Sequence, residues 1–292
     1  MIIDAHTHLF PDEVRKKRKK FCTRDESFRL LYDGEKARLA GLQDLLETMD
    51  RENVDRSVVC GFPWKDPGLC REGNDYLLDG ARKFPDRILP LICPPLHSLR
   101  QAKKELARCL SRGAKGIGEL AFYHGGITAP EVRRLVSLAQ SLPGTGVPVL
   151  LHASEPVGHD YPGKSPKTLQ PIYHLLRQIP EVDVILAHWG GGFFFYELMP
   201  EVARAARRVY YDTAASPFLY RPQIYSLAVR IIGPDRILWG SDFPLLSPAR
   251  YFRQMAEAGL SPRVRAKIQG GNAQRLFATR IKGGFDRQYR VQ

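Results

Sequence analysis

No run in the 292 residues comes near the ~20 uninterrupted apolar positions of a membrane-spanning helix, because charges or turn formers cut every apolar stretch. Cysteine is scarce and odd in number. Cys22, Cys60, Cys70, Cys93 and Cys109 form no close C-x-x-C pair, the usage of reduced thiols in a cytoplasmic protein. The start, Met1-Ile-Ile-Asp4, lacks the basic residues, the long apolar stretch and the cleavage site of a signal peptide, so secretion is not expected. There is no low-complexity tract, no linker and no short repeat. Acidic residues are also in short supply, 31 against 44 Lys and Arg, which leaves a net charge of +13. What remains is ordinary for a globular chain, 43% hydrophobic and 26% charged, and excludes wholesale disorder.

The positive excess invites a nucleic-acid reading. Six of the charges, however, sit in one run, Arg15-Lys-Lys-Arg-Lys-Lys20, with no interleaved aromatic residue and no helix-turn-helix, finger or RNP signature. The run reads as a solvated helix or loop that could steer an anionic substrate. Nucleic acid is not the expected partner.

Short β-branched and aliphatic runs recur along the chain, each followed by an amphipathic segment. They are Ile2–His8, Val54–Phe62, Arg87–Cys93, Ala114–Leu120, Val147–Ala153, Val182–His188, Val209–Thr213 and Arg236–Ser241. Several are almost continuously apolar, as parallel strands buried on both faces are. Helical spacing marks Leu39–Arg51, Ser98–Arg112, Pro130–Ser141, Thr168–Gln178, Glu197–Arg208 and Arg221–Ile232. About eight β-loop-α units in one chain predict an α/β fold, a (β/α)8 TIM barrel forming one domain over 1–292. A doubly wound sheet fits less well, since no GxGxxG follows the first strand. Residues 11–38 are too many for a βα loop and are expected to be an insertion after strand 1, over the barrel mouth. The polar tail 280–292 is expected to be poorly ordered.

Chemistry gathers at the ends of these strands. His6 and His8 are two apart in Asp4-Ala-His-Thr-His8, so strand alternation sends both imidazoles to one face. Glu119, His152, His188 and Asp242 close the fourth, fifth, sixth and eighth runs. In a barrel these strand ends form the active-site mouth. One histidine at a strand end is ordinarily a packing residue, but six polar side chains on one rim make that reading hard to sustain. Imidazoles together with carboxylates suit zinc and other divalent cations. His97 and His174 read as surface or packing residues and His124 as a marginal case. The loop Pro156-Val-Gly-His-Asp-Tyr-Pro-Gly-Lys164 offers His159 and Lys164 to a substrate anion, or is simply a surface turn.

The pattern of H-x-H after strand 1, one His after each of strands 5 and 6, and Gly240-Ser-Asp-Phe-Pro244 after strand 8 resembles the amidohydrolase superfamily. More narrowly, it is similar to the amidohydrolase-related group (amidohydrolase family 2) that includes the aminocarboxymuconate-semialdehyde decarboxylase relatives. The likeness runs from Ile2 to about Ala278 and takes in Gly270-Gly-Asn-Ala-Gln-Arg-Leu-Phe277. It implies His6, His8, His152 and Asp242 as metal ligands, and His188 as the acid/base of a one-metal site or a ligand of a second metal. Glu119 departs from the decarboxylases, which generally lack a carboxylate there. It resembles the bridging carboxylate of phosphotriesterase-like and TatD-like hydrolases, or else orients a ligand histidine.

The expected function is therefore metal-dependent hydrolysis of an ester, lactone or amide bond in a small, anionic substrate. One or two divalent ions, zinc foremost and manganese as an alternative, would activate water. Asp242 would take the proton of that water, and His188 would stabilise the oxyanion or bind the second metal; Glu119 joins the metal set. Trp64, Tyr123, Trp189, Phe218, His159 and Lys164 are expected to face the substrate. The alternative activity is non-oxidative decarboxylation of an aromatic or muconate-like acid, with His188 moving the proton. A TatD-like nuclease or a basic binding module comes after both. Of partners beyond the substrate, a homodimer is allowed and a membrane is not expected.

Overall fold

The computed structural model describes residues 1–142, 146–165 and 167–278. Eight strands follow one another in a single parallel sheet: β1 Ile3–His8, β2 Arg56–Cys60, β3 Ile88–Ile92, β4 Gly116–Leu120, β5 Val149–Leu151, β6 Val184–Leu186, β7 Val209–Asp212 and β8 Ile237–Leu238. Backbone hydrogen bonds close the ring, from Ala5 N to Trp239 O at 2.8 Å and from His8 N to Phe243 O at 2.9 Å. This is the (β/α)8 barrel that the apolar runs predict, and each strand lies inside its run. The expected tail over 280–292 lies outside the described residues.

Alternation along each strand divides the core in two. Val58 and Cys60, Leu89 and Leu91, Leu150 and Ile185 pack with Ile3 and Ala5 inside the barrel. Their neighbours Val59, Ile88, Ile92, Val149, Leu151, Val184 and Leu186 point outward against helical residues such as Leu45, Leu77, Leu106 and Leu175. The helix Asn272–Ala278 adds Ala273 and Leu276 to the inner cluster and closes the N-terminal end of the barrel. Among the described residues no helix is long and apolar enough to cross a membrane.

Two strands break their own alternation. The register of β1 on β2 shifts between Asp4 and Thr7, and that of β4 on β5 between Ile117 and Leu120. Such irregularities add a residue and re-aim the side chains beyond it. His6 and Glu119, within these shifts, and His8, just past the first, turn into the barrel.

The insertion is helical: α1 Asp12–Lys16, α2 Arg18–Cys22 and α3 Glu26–Tyr32. Asp25 caps α3 by accepting from Ser27 N and Phe28 N, and its second oxygen takes Lys65 N from the segment after β2. Phe10, Phe21, Phe28, Phe62 and Trp64 weld the insertion to that segment, with Phe28 stacked on Trp64 at 4.7 Å. Trp64 is thus buried in the weld and does not face substrate as expected. The basic run is paired locally: Lys16 with Asp12, Lys17 and Lys20 with Glu13, Lys19 with Asp33, and Arg15 with Asp12 and Asp44. Its charge is largely answered on its own surface.

Candidate metal and active site

Each of three histidines uses one ring nitrogen to fasten itself to the wall. His6 Nδ1 lies 2.8 Å from Asp212 Oδ2 at the end of β7, with both side chains fully buried. His188 Nδ1 lies 3.0 Å from the Ala214 carbonyl. His152 Nε2 lies 3.0 Å from the Gly163 carbonyl and 3.1 Å from Ser154 Oγ. Carbonyl and carboxylate oxygens only accept, so these outer nitrogens carry the protons and donate. The inner nitrogens then hold lone pairs.

Those lone pairs face carboxylates. His6 Nε2 is 3.7 Å from Glu119 Oε2 and 3.8 Å from Asp242 Oδ1; His8 Nε2 is 3.6 Å and 3.3 Å from the same two oxygens. The two Nε2 atoms are 3.0 Å apart. His152 Nδ1 and His188 Nε2 approach Glu119 Oε1 at 3.0 and 3.6 Å. Acceptor facing acceptor in a buried site is stable only with protons or a cation between them. Protons can do it: burial opposes charging His188, but the Glu119 hydrogen bond and the charges of Asp242 and Glu119 push its pKa up to about 9. His6 rises too, against burial, through Asp212 and Glu119. Asp242 falls to about 2, since His8, His6 and His188 outweigh its burial, and Glu119 falls for the same kind of reason.

A divalent ion fits the same arrangement. Ligand atoms about 2.0–2.2 Å from one ion stand about 3–3.6 Å from each other, close to the 3.0–3.8 Å seen around the His6 and His8 Nε2 atoms. His6, His8 and Glu119 make one group of donors and Glu119, His152 and His188 another, so Glu119 stands between them. The expected ligand set is thus divided: Asp242 joins His6 and His8, whereas His152 meets them across Glu119.

The chain fixes His188 by an unusual route. From His188 to Gly192 five successive residues have positive φ, 56°, 59°, 63°, 58° and 87°. His188 and Trp189 pay about 1–2 kcal/mol each for that conformation, and Gly191 takes it because a Cβ there would meet the Ser154 carbonyl at 2.4 Å. Asp212 Oδ1 holds the turn by accepting from His188 N and Ala214 N at 3.0 and 2.9 Å. The same left-handed turn carries Trp189 away from the mouth. Its ring is fully buried beside Phe194 and Tyr225, and its Nε1 donates to Ser216 Oγ. Trp189 therefore does not line the site, contrary to expectation.

Above the cluster opens a cavity of about 800 Å³. Tyr123, His159 and Phe218, which the sequence expects to face a substrate, line it along with Tyr32, Phe62 and Tyr161. Lys164 does not: its Nζ is taken by the carbonyls of Val157, Gly158 and His159, which braces the loop and withdraws this ammonium from the cavity. Sequence reasoning missed Asp212, although it ends the seventh strand as the other polar residues end theirs. It also missed Tyr32, which nothing in the sequence distinguishes from other helix-end aromatics.

The sequence pattern of the Amidohydrolase family matches residues 3–279. A gamma-resorcylate decarboxylase from Rhizobium sp. (strain MTP-10005) is 27% identical over 297 residues, covering 82% of this chain and 88% of the relative. Among solved structures, 5-carboxyvanillate decarboxylase from Sphingomonas paucimobilis superposes with a TM-score of 0.74 at 17% identity, covering 95% and 98% of the two chains. A dihydroxybenzoic acid decarboxylase from Polaromonas sp. JS666, with bound manganese and the inhibitor 2-nitroresorcinol, gives 0.69 at 19% identity, covering 95% and 96%. These relatives overturn the hydrolytic reading of the sequence and side with decarboxylation, its alternative. Glu119 misled because the carboxylate of a bridging hydrolase site and one that balances four imidazoles look alike in one dimension. Fold, site and sequence match agree that this chain belongs to the amidohydrolase family.

Proposed function

We propose that the protein is a metal-dependent, non-oxidative decarboxylase of a small aromatic acid. The carrying observation is His188, whose Nδ1 is tied to Ala214 O while Nε2 looks into the cavity beside Glu119. The curated relative's activity supports the reading. His6, His8 and Asp242 with Glu119 would hold a divalent ion, and His152 stands on the far side of Glu119. Manganese, present in one solved neighbour, is the first ion to try ahead of zinc. Such an ion would anchor the substrate anion and withdraw charge from it.

The remaining work falls to the chain. Phe62, Tyr123, Tyr161 and Phe218 grip the ring and keep water from it, and His159 stands at the rim. His188 Nε2 delivers a proton to the ring carbon that bears the carboxylate. The new C–H bond takes its electron pair from the ring π system; the bond to the carboxylate carbon then breaks, its pair returns to the ring and restores aromaticity, and CO₂ leaves. Asp212 keeps the imidazole aimed through the backbone of residues 188 and 214.

Manganese-loaded protein should release CO₂ from 2,6-dihydroxybenzoate or 5-carboxyvanillate, with one arene formed per CO₂. Chelation should stop it and added manganese restore it. Metal-replete protein that releases none across hydroxybenzoate and muconate-type acids would refute the proposal.

A further inference from the structure

Tyr32 ends α3, and its ring is held against Phe28 at 4.8 Å and Phe10 at 5.2 Å, with Phe62 beyond at 6.1 Å. Tyr123, from the segment after β4, stands edge-on to His152 at 5.3 Å. Both line the cavity that holds Glu119, His152, His188 and Asp242. Neither hydroxyl has a hydrogen-bond partner among the described residues, and neither is among the sealed, unpartnered oxygens of the interior, so each is reachable from the cavity. Packing has therefore fixed two rings whose polar ends are left free in a largely apolar cavity. Buried phenols ordinarily find a partner.

The chemistry of that partner is constrained. Burial first, then the charges of Asp242 and Glu119, lift the Tyr32 phenol above its ordinary range, and burial with Glu119 and Tyr32 lifts Tyr123. Both remain neutral and can donate. The rings packed on Tyr32, those of Phe10, Phe28 and Phe62, offer no acceptor, and Tyr123 packs on His152 with its hydroxyl unbonded, so both hydroxyls are free to donate to a ligand that brings an acceptor.

We propose that Tyr32 and Tyr123 are substrate-binding residues whose hydroxyls donate to an oxyanion carried on the substrate's aromatic ring. The inserted segment then sets specificity as well as covering the mouth. The aromatic ring in this inference rests on the decarboxylase reading; the two donors do not. The acceptor is either a ring oxygen or the carboxylate itself, and the two sources can be told apart.

The test is calorimetric binding to manganese-loaded protein, with three non-turnover probes: 2-nitroresorcinol for ring oxygens, benzoate for a carboxylate, and neutral nitrobenzene. Tyr32→Phe keeps the ring and its packing and removes one donor. It should weaken 2-nitroresorcinol, benzoate or both by about fivefold, the scale of one hydrogen bond, and leave nitrobenzene unchanged; Tyr123→Phe should do the same. Loss on 2-nitroresorcinol alone assigns the ring oxygen, and loss on benzoate alone the carboxylate. Unchanged binding of both anions, an equal loss on all three probes, or no binding of either anion to the wild type overturns the inference. Anion binding that depends on Tyr32 in a protein releasing no CO₂ would refute only the decarboxylase reading. CO₂ release with Tyr32→Phe binding every probe normally would refute only this one.

Discussion

His6 and Asp212 lie 206 residues apart and meet at 2.8 Å, with neither side chain reached by solvent. The carboxylate accepts a hydrogen bond from His6 Nδ1–H, which leaves the Nε2 lone pair toward His8, Glu119 and Asp242. Its other oxygen accepts from the backbone of His188 and Ala214. One side chain at the end of β7 thereby sets the tautomer of His6 and the position of His188.

Asp212→Asn tests that double role. An amide can offer His6 its NH₂ where a proton acceptor is needed, and carboxylate partners of ligand histidines are worth about 10–100-fold in metal affinity. Manganese affinity should fall by about that factor, measured by titration against a chelating dye. Unchanged affinity would mean that barrel packing alone orients His6.

His188→Asn should separate proton transfer from binding. Loss of the imidazole should slow CO₂ release by about 10²–10⁴-fold. The binding of 2-nitroresorcinol to manganese-loaded protein should stay within about threefold of wild type, because His188 is not needed to hold the ion beside His6 and His8. A variant that turns over normally would remove His188 from the chemistry.

Glu105 predicts a pH dependence outside the site. Burial raises its pKa, but hydrogen bonds from Arg108, Asn74 and Cys109 outweigh that and bring it to about 2. A folded-state pKa below the unfolded value of about 4.3 gives stability that is complete above that value and lost as pH falls toward about 2. Glu105→Gln should therefore cost about 1–2 kcal/mol at neutral pH. Urea unfolding should show a constant gap between variant and wild type from about pH 7 to 5 that narrows below about 4.3. A gap that grows on acidification would contradict the assignment.

The basic run separates into two kinds of residue. Lys16, Lys17, Lys19 and Lys20 pair with Asp12, Glu13 and Asp33 at the exposed surface, where solvent screening leaves little net stabilisation. Arg15 and Arg18 tie α1 and α2 to Asp44 and the Ala37 carbonyl. Changing the four lysines to Gln should move the melting temperature by less than about 3 °C, whereas Arg15→Gln with Arg18→Gln should lower it further. Calorimetric scans of the two variants would decide, and equal shifts would show that the run is uniform.

The barrel was legible because its signal is local and repeated. Val182-Asp-Val-Ile-Leu-Ala187 and Val147-Pro-Val-Leu-Leu151 have too little polarity to lie anywhere but between a barrel interior and a helix layer, and eight such runs leave few alternatives. The strand ends were legible for the same reason: a polar residue terminates an apolar run, and the fold brings every such terminus to one rim. His6, His8, Glu119, His152, His188 and Asp242 were all found in this way. Tertiary structure alone decided how they divide. Register shifts in β1 and β4 turned His6, His8 and Glu119 inward, and a shift between strands is a property of the pair, invisible in either. The left-handed turn at 188–192 sent Trp189 into the helix layer, while three carbonyls claimed Lys164. Asp212 gained its role, and Tyr32 its place over the carboxylates, from contacts between segments far apart in the chain. Local composition determines which residues reach the rim, but the direction of each lone pair and free hydroxyl depends on partners that only folding supplies.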